Sequence, residues 1–279
     1  SRHQSLAPTK EGRARFALLR RGGKEITIAL PQYGKQGKYG IAMIYLTDGT
    51  RDGFLTAFLA AWGDEEAVLL PKDERPLGPC VDVIPDPQKA NKAICRFKEL
   101  DGGCVRELDR LLRCGDEGHL MTAYRYFRLI AKRGGPVRGM LAHPDVLRAE
   151  QALRRVAHEI DRMKGFVRFS ESASGALYAP LSPDHDIVDI LARHFAKRLP
   201  EYPFVLHDVK RKKAAVWDGV HLFLAPLVRA EVTLSADEEG WQRLWKQYYA
   251  AVNIPSRERL RQQRGYLPVR YRKFMTEFH

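Results

Sequence analysis

The chain has 279 residues, 44% hydrophobic and 29% charged, a balance ordinary for a folded globular protein. No apolar run approaches the ~18 residues of a membrane helix, and residues 1–10 lack the apolar core of a secretory leader, so a soluble cytoplasmic protein without a membrane partner is expected. The net charge is +13, and its excess sits at the ends: residues 1–40 and residues 241–279 each hold nine Lys/Arg against two Glu, which leaves 41–240 at about −1. Such a balance favours a polyanionic partner through counterion release.

In chain order, residues 1–40 read as a basic extension with one alternating stretch, 25–30, that suits a strand. A mainly helical region follows over 41–142. It holds strands at 41–46 and 81–84, a helix at 51–62 with Phe54, Leu55, Phe58 and Leu59 on one face, and helical periodicity over 86–132. Residues 143–236 read as α-β-β-α-β-β-β: a helix at 144–163, strands at 166–169 and 176–181, and a helix running from Ser182-Pro183-Asp184 to about 198. Strands at 204–208, 214–217 and 221–224 complete it, the last pair joined at Asp218-Gly219. Residues 237–279 form a basic, aromatic tail with helices at 238–251 and 269–278. The expected class is α+β: a helical N-terminal half with short strands, then an antiparallel-rich sheet of about five strands with flanking helices, then the helical tail.

The cysteines, Cys80, Cys95, Cys104 and Cys114, make no Cys-x-x-Cys, so no metal or cofactor motif is read from them and reduced structural thiols are expected. His158-Glu159 invites comparison with a zinc-protease helix, but Arg162 stands where the second His must be; Glu159 and Arg162 suit a helix pair instead. The densest titratable set is Asp184, His185, Asp186, His194, His207 and Asp208. His185, His207 and Asp208 are the candidate catalytic groups for a metal-dependent nuclease or a base-acting hydrolase. Against that role, neighbours on a strand face opposite ways, as do residues nine apart on a helix, and Asp184 and Asp186 suit a helix start.

Lys210, Arg211, Lys212 and Lys213 lie between two expected strands, where they could grip successive phosphates or simply be solvated. In the tail, Arg257, Arg261, Arg264, Arg270, Arg272 and Lys273 interleave with Tyr271, a pattern that suits backbone contacts with base stacking, or aromatic packing with the cations in water. Arg168, on the same expected strand face as Phe166, could line a groove.

Seven blocks, 52–57, 157–169, 183–187, 194–198, 207–211, 217–219 and 267–277, resemble a bacterial family described as DNA metabolism proteins. Its shared domain has no assigned function and occurs alone or ahead of a uracil-DNA glycosylase domain. Stand-alone members are often encoded beside a radical-SAM protein of DNA modification or repair. The resemblance runs from about residue 43 to the end and leaves residues 1–40 without a counterpart. It implies a nucleic-acid-binding accessory, most simply DNA-binding, that works with a radical-SAM or glycosylase partner. An enzyme in its own right and a protein–protein adaptor are the alternatives.

Overall fold

The computed structural model describes residues 15–21, 24–30, 42–76, 78–252, 254, 256 and 259–279. Two compact units emerge, one from 1–112 with 118–149 and one from 113–117 with 150–279. No helix among the described residues is long and apolar enough to cross a membrane.

The first unit opens with a hairpin, β1 (Arg15–Arg21) against β2 (Lys24–Leu30), whose second strand coincides with the expected one; β5 (Arg75–Pro76) adds to β1. A second sheet is parallel: β3 (Ile44–Thr47) lies between β4 (Val68–Pro71) and β6 (Cys80–Asp82). Four helices accompany it: α1 (Arg51–Ala60) and α4 (His119–Arg133) pack on the sheet, and α2 (Pro87–Leu100) and α3 (Cys104–Leu112) pack on those helices. Local chemistry sets their starts. Thr50 accepts the Gly53 N–H at 3.0 Å at the head of α1, and Asp86 caps α2 ahead of a first-turn proline. The expected apolar face of α1 delivers Phe54 and Phe58 into an aromatic core with Phe97 and Phe127, where Phe97 and Phe127 meet edge to face at 4.9 Å.

The long helix α5 (Pro144–Phe166) leads into the second unit, which holds the α-β-β-α-β-β-β order read from the sequence. Its sheet runs β11-β10-β9-β8-β7, built from β7 (Ser170–Glu171), β8 (Leu177–Leu181), β9 (Phe204–Asp208), β10 (Lys213–Trp217) and β11 (Leu222–Pro226). Its neighbours pair antiparallel except β8 and β9, which run parallel because α6 (Val188–Arg198) carries the chain across between them. Phe169 meets Phe195 of α6 and Phe204 of β9 at 5.0 and 5.6 Å, filling the helix–sheet interface. The tail contains α7 (Glu238–Val252), α8 (Leu260–Tyr266) and two 3-10 turns, Val269–Phe274 and Thr276–Phe278.

Two expectations in this unit need correction. No strand occupies 166–169: α5 continues to Phe166, the Val167 N–H still reaches the Met163 carbonyl, and pairing begins only at Ser170. The sixth helix also starts at Val188 rather than at Pro183. A helix opening at Pro183 would make its first internal bond from the Asp186 N–H to the Ser182 carbonyl, but that N–H donates to the Arg113 carbonyl at 2.9 Å. The N–H groups of Asp184 and His185, which would have no partner inside such a helix, donate to the Glu159 carboxylate at 2.7 and 2.8 Å.

Candidate functional site

Glu159 organises the second unit. It sits on α5 and is buried, and its hydrogen bonds go to the 182–187 loop and the tail, not to the Arg162 expected as its partner. Besides the two N–H groups of the 182–187 loop, it accepts the hydroxyl of Tyr271 at 2.5 Å. Three donors therefore offset the desolvation of one buried carboxylate. The same hydroxyl lies 3.2 Å from Asp184, whose carboxylate takes the Arg270 guanidinium at 2.8 Å. The Tyr271 ring rests 5.9 Å from Phe166 and under the Arg270 guanidinium at 4.6 Å. Burial first, then the Glu159 carboxylate, pushes the Tyr271 hydroxyl well above its ordinary range, so it remains a donor.

Segment 113–117 closes the other side. Arg113 forks onto Asp189 of α6 at 2.5 and 2.9 Å and reaches the Asp186 carbonyl at 3.1 Å. Gly115 then passes so close to the 182–187 loop that a β-carbon there would stand 2.0 Å from the Asp184 carbonyl oxygen. Its N–H donates to His185 Nδ1 at 3.0 Å. Burial holds the His185 ring below its usual pKa and so favours its neutral form, against the Glu159 carboxylate, which pulls the other way.

These contacts bring the Cys114 sulfur, an Asp116 oxygen and a His185 nitrogen within 4.8 Å of one another. The residue types are those of a zinc ligand set. Other bonds hold them here: Arg155 pairs with Asp116, the Cys114 thiol is hydrogen-bonded to Asp116, and the Gly115 N–H occupies His185 Nδ1. Burial pushes the Cys114 thiol up to about 11, so it stays protonated near neutral pH.

Between these walls lies a cleft of about 360 Å³. Arg155, Glu159 and Arg162 line it from one face of α5, Lys210 from the β9–β10 turn, and Arg270 and Tyr271 from the tail, with Asp116, Asp184 and His185 opposite.

The candidate catalytic groups are dispersed. His185 lines the cleft, but His207 and Asp208 do not. His207, buried on β9, lies between the Tyr178 hydroxyl at 2.8 Å and the Leu227 carbonyl at 2.9 Å. Asp208 is fully buried and accepts from the Arg211 backbone and guanidinium at 3.1 and 3.0 Å.

The basic set divides as well. Arg211 also reaches the Pro183 and Asp184 carbonyls, and Lys213 pairs with Asp186, so two of the four turn cations tie loops together. Lys210 faces the cleft, and Lys212 is exposed at φ +53°. Arg168 pairs with Glu277 at 2.7 Å and stacks over Trp245 at 5.4 Å. Arg272 covers Phe278 at 4.7 Å and Lys273 lies over Phe274 at 5.2 Å. Arg261 and Arg264 are exposed on α8, while Arg257 lies outside the described residues.

A further feature is helix α7. Trp241, Leu244, Trp245 and Tyr248 repeat at helical spacing and remain exposed, Trp241 by 62% and Tyr248 by 60%. Arg243 and Lys246 are exposed on the same helix. The helix is anchored at its start, where Glu238 accepts the Glu171 N–H at 2.9 Å, and at Trp245, whose indole N–H donates to Glu277 at 3.1 Å.

A family model for a domain of unknown function, DUF4130, matches residues 117–277. The chain belongs to this family. The match takes in the sheet, most of the cleft wall and all of α7, and it begins two residues after Gly115. No curated protein and no solved structure matches the chain.

Proposed function

We propose that this DUF4130 protein binds nucleic acid, DNA in the first place, through its C-terminal unit, and that it serves a repair or modification enzyme as an accessory. The observation that carries the reading is the face of α7. Exposed Trp241, Trp245 and Tyr248 form one face of the helix, exposed Arg243 and Lys246 lie on its other side, and exposed Arg261 and Arg264 follow on α8. Solvent exposure of several large aromatics is costly in the free protein, and aromatic faces among cations are what single strands use for stacking and phosphate contact. The excess of seven positive charges over 241–279 supplies the long-range attraction. The family resemblance supplies the context: a partner of the radical-SAM or glycosylase class performs the chemistry while this chain holds the strand.

Titration of tryptophan fluorescence with single- and double-stranded DNA at rising salt tests the reading. Binding that weakens steeply with salt, with quenching on the single strand, is the expected result. An unchanged signal with either form at low salt refutes it.

A further inference from the structure

We propose that the cleft beside Glu159 receives one nucleoside monophosphate unit, either the phosphorylated end of a strand or the free nucleotide. The nucleoside part rests on the nucleic-acid reading above; the phosphate part rests on the cleft alone. Four cations from three separate stretches of chain converge on it: Arg155 and Arg162, two turns apart on α5, Lys210 from the β9–β10 turn and Arg270 from the tail. Their states differ in a useful way. Arg155 and Arg270 are each steered by a carboxylate, Asp116 and Asp184, which fixes their forks at the wall. Arg162 and Lys210 have no ion-pair partner among the described residues, so their charge is available to a ligand.

The three carboxylates of the lining, Asp116, Glu159 and Asp184, offset part of this field but leave the cations in excess. Glu159 is buried and accepts from Asp184, His185 and Tyr271, while Asp116 and Asp184 each hold one arginine. A dianionic phosphate entering the mouth meets two unpaired cations and the spare N–H groups of two oriented guanidinium groups. The volume of about 360 Å³ far exceeds a lone phosphate and lies at the lower end of small-molecule sites. Exposed His158 on the lining leaves a polar group to meet the sugar or the base edge.

Calorimetry on the full chain with deoxynucleoside 5′- and 3′-monophosphates, the matching nucleosides and inorganic phosphate tests the proposal. Saturable binding of a monophosphate is expected, with none of the nucleoside. R162A, at a half-buried position, and K210A, at an exposed one, should each weaken it about tenfold, the loss of one charge-assisted contact. Phosphorylated and hydroxyl-ended strands distinguish the two sources: preference for the phosphorylated end assigns the cleft to a strand terminus, and no preference beside tight monophosphate binding assigns it to the free nucleotide. Strand binding without any monophosphate binding overturns the cleft proposal and leaves the nucleic-acid reading intact, whereas monophosphate binding without strand binding does the reverse. Inorganic phosphate binding as tightly as the nucleotide overturns the nucleoside part, and monophosphate binding untouched in both variants overturns the assignment to this cleft.

Discussion

The Tyr271 hydroxyl donates to Glu159 across 112 residues of sequence, and through this bond the C-terminal tail is fastened to α5. The bond is buried at both ends, so its loss is felt in full. Tyr271→Phe keeps the ring against Phe166 and removes one of three donors to Glu159. It should lower unfolding stability by about 1–3 kcal/mol, read by urea denaturation. Glu159→Ala should cost more, since it strands the N–H groups of Asp184 and His185 as well as the hydroxyl. The double variant should cost less than the sum, because both changes break one network.

A second tie should make tail docking acid-sensitive. Arg168 and Glu277 pair at 2.7 Å with the carboxylate almost sealed from solvent. Burial by itself raises the Glu277 pKa, but the Arg168 hydrogen bonds, the local backbone and the Trp245 indole outweigh it, and the net shift is downward. A carboxyl held below its unfolded value binds fewer protons when folded. Its contribution is therefore present above the ordinary glutamate range and is lost as the pH falls through the lowered value. Thermal unfolding followed by tryptophan emission should show a melting temperature that drops on acidification from that range. In Arg168→Met the drop should be shallower and the starting value lower. Parallel curves for the two proteins would show that Glu277 does not depend on Arg168.

The close approach at Gly115 makes a third expectation. A β-carbon would stand 2.0 Å from the Asp184 carbonyl oxygen, a backbone atom that cannot swing aside. Gly115→Ala must push segment 113–117 away from the loop, lengthening the bond to His185 Nδ1 and straining the Arg113–Asp189 fork. Overpacking of this kind costs roughly 1–3 kcal/mol. The histidine ring proton resonances, followed by NMR, should report a changed His185 environment. Gly63→Ala, in the first unit with open space around it, is the control expected to stay close to neutral.

Which parts of this architecture were legible in advance follows from what each depends on. The helix starting at 144 is plain because burial of one side imposes a period on it, and the strand at 204–208 because it is a short apolar run that follows Pro203. The α-β-β-α-β-β-β order followed from the same patterns and from turn residues such as Asp218-Gly219. The helix start at Ser182-Pro183 carried every local signal and did not form, because the Arg113 carbonyl, remote in sequence, takes the Asp186 N–H that would make its first internal bond. The cleft was illegible for the same reason. Its walls come from 113–117, α5, the 182–187 loop and the tail, and no spacing within one segment records that Gly115 meets Asp184. The single hint was a glycine beside a cysteine, and it reads as an ordinary turn. Tyr271 was noticed for its arginine neighbours, and its ring packs inward while Trp241 and Tyr248 of α7 hold the exposed aromatic surface.

That exposed surface gives the last expectation, which separates stability from binding. Trp241 is 62% exposed, and its removal should leave the unfolding midpoint almost unchanged, within about 0.5 kcal/mol. Trp245 differs, since it takes the Arg168 guanidinium on its face and donates to Glu277, so its loss mixes both effects. Trp241→Ala should therefore weaken single-stranded DNA binding by about 1–3 kcal/mol, the usual worth of one stacked base, with no change in fold. Arg261→Ala and Arg264→Ala, exposed on α8, should act through phosphates instead, each reducing the slope of log affinity against log salt by about 1 without altering base preference. Fluorescence titrations at several salt concentrations read both quantities at once. If the Trp241 variant binds as tightly as the parent while the arginine variants lose affinity, the helix contributes charge alone and stacking must be assigned elsewhere on the tail.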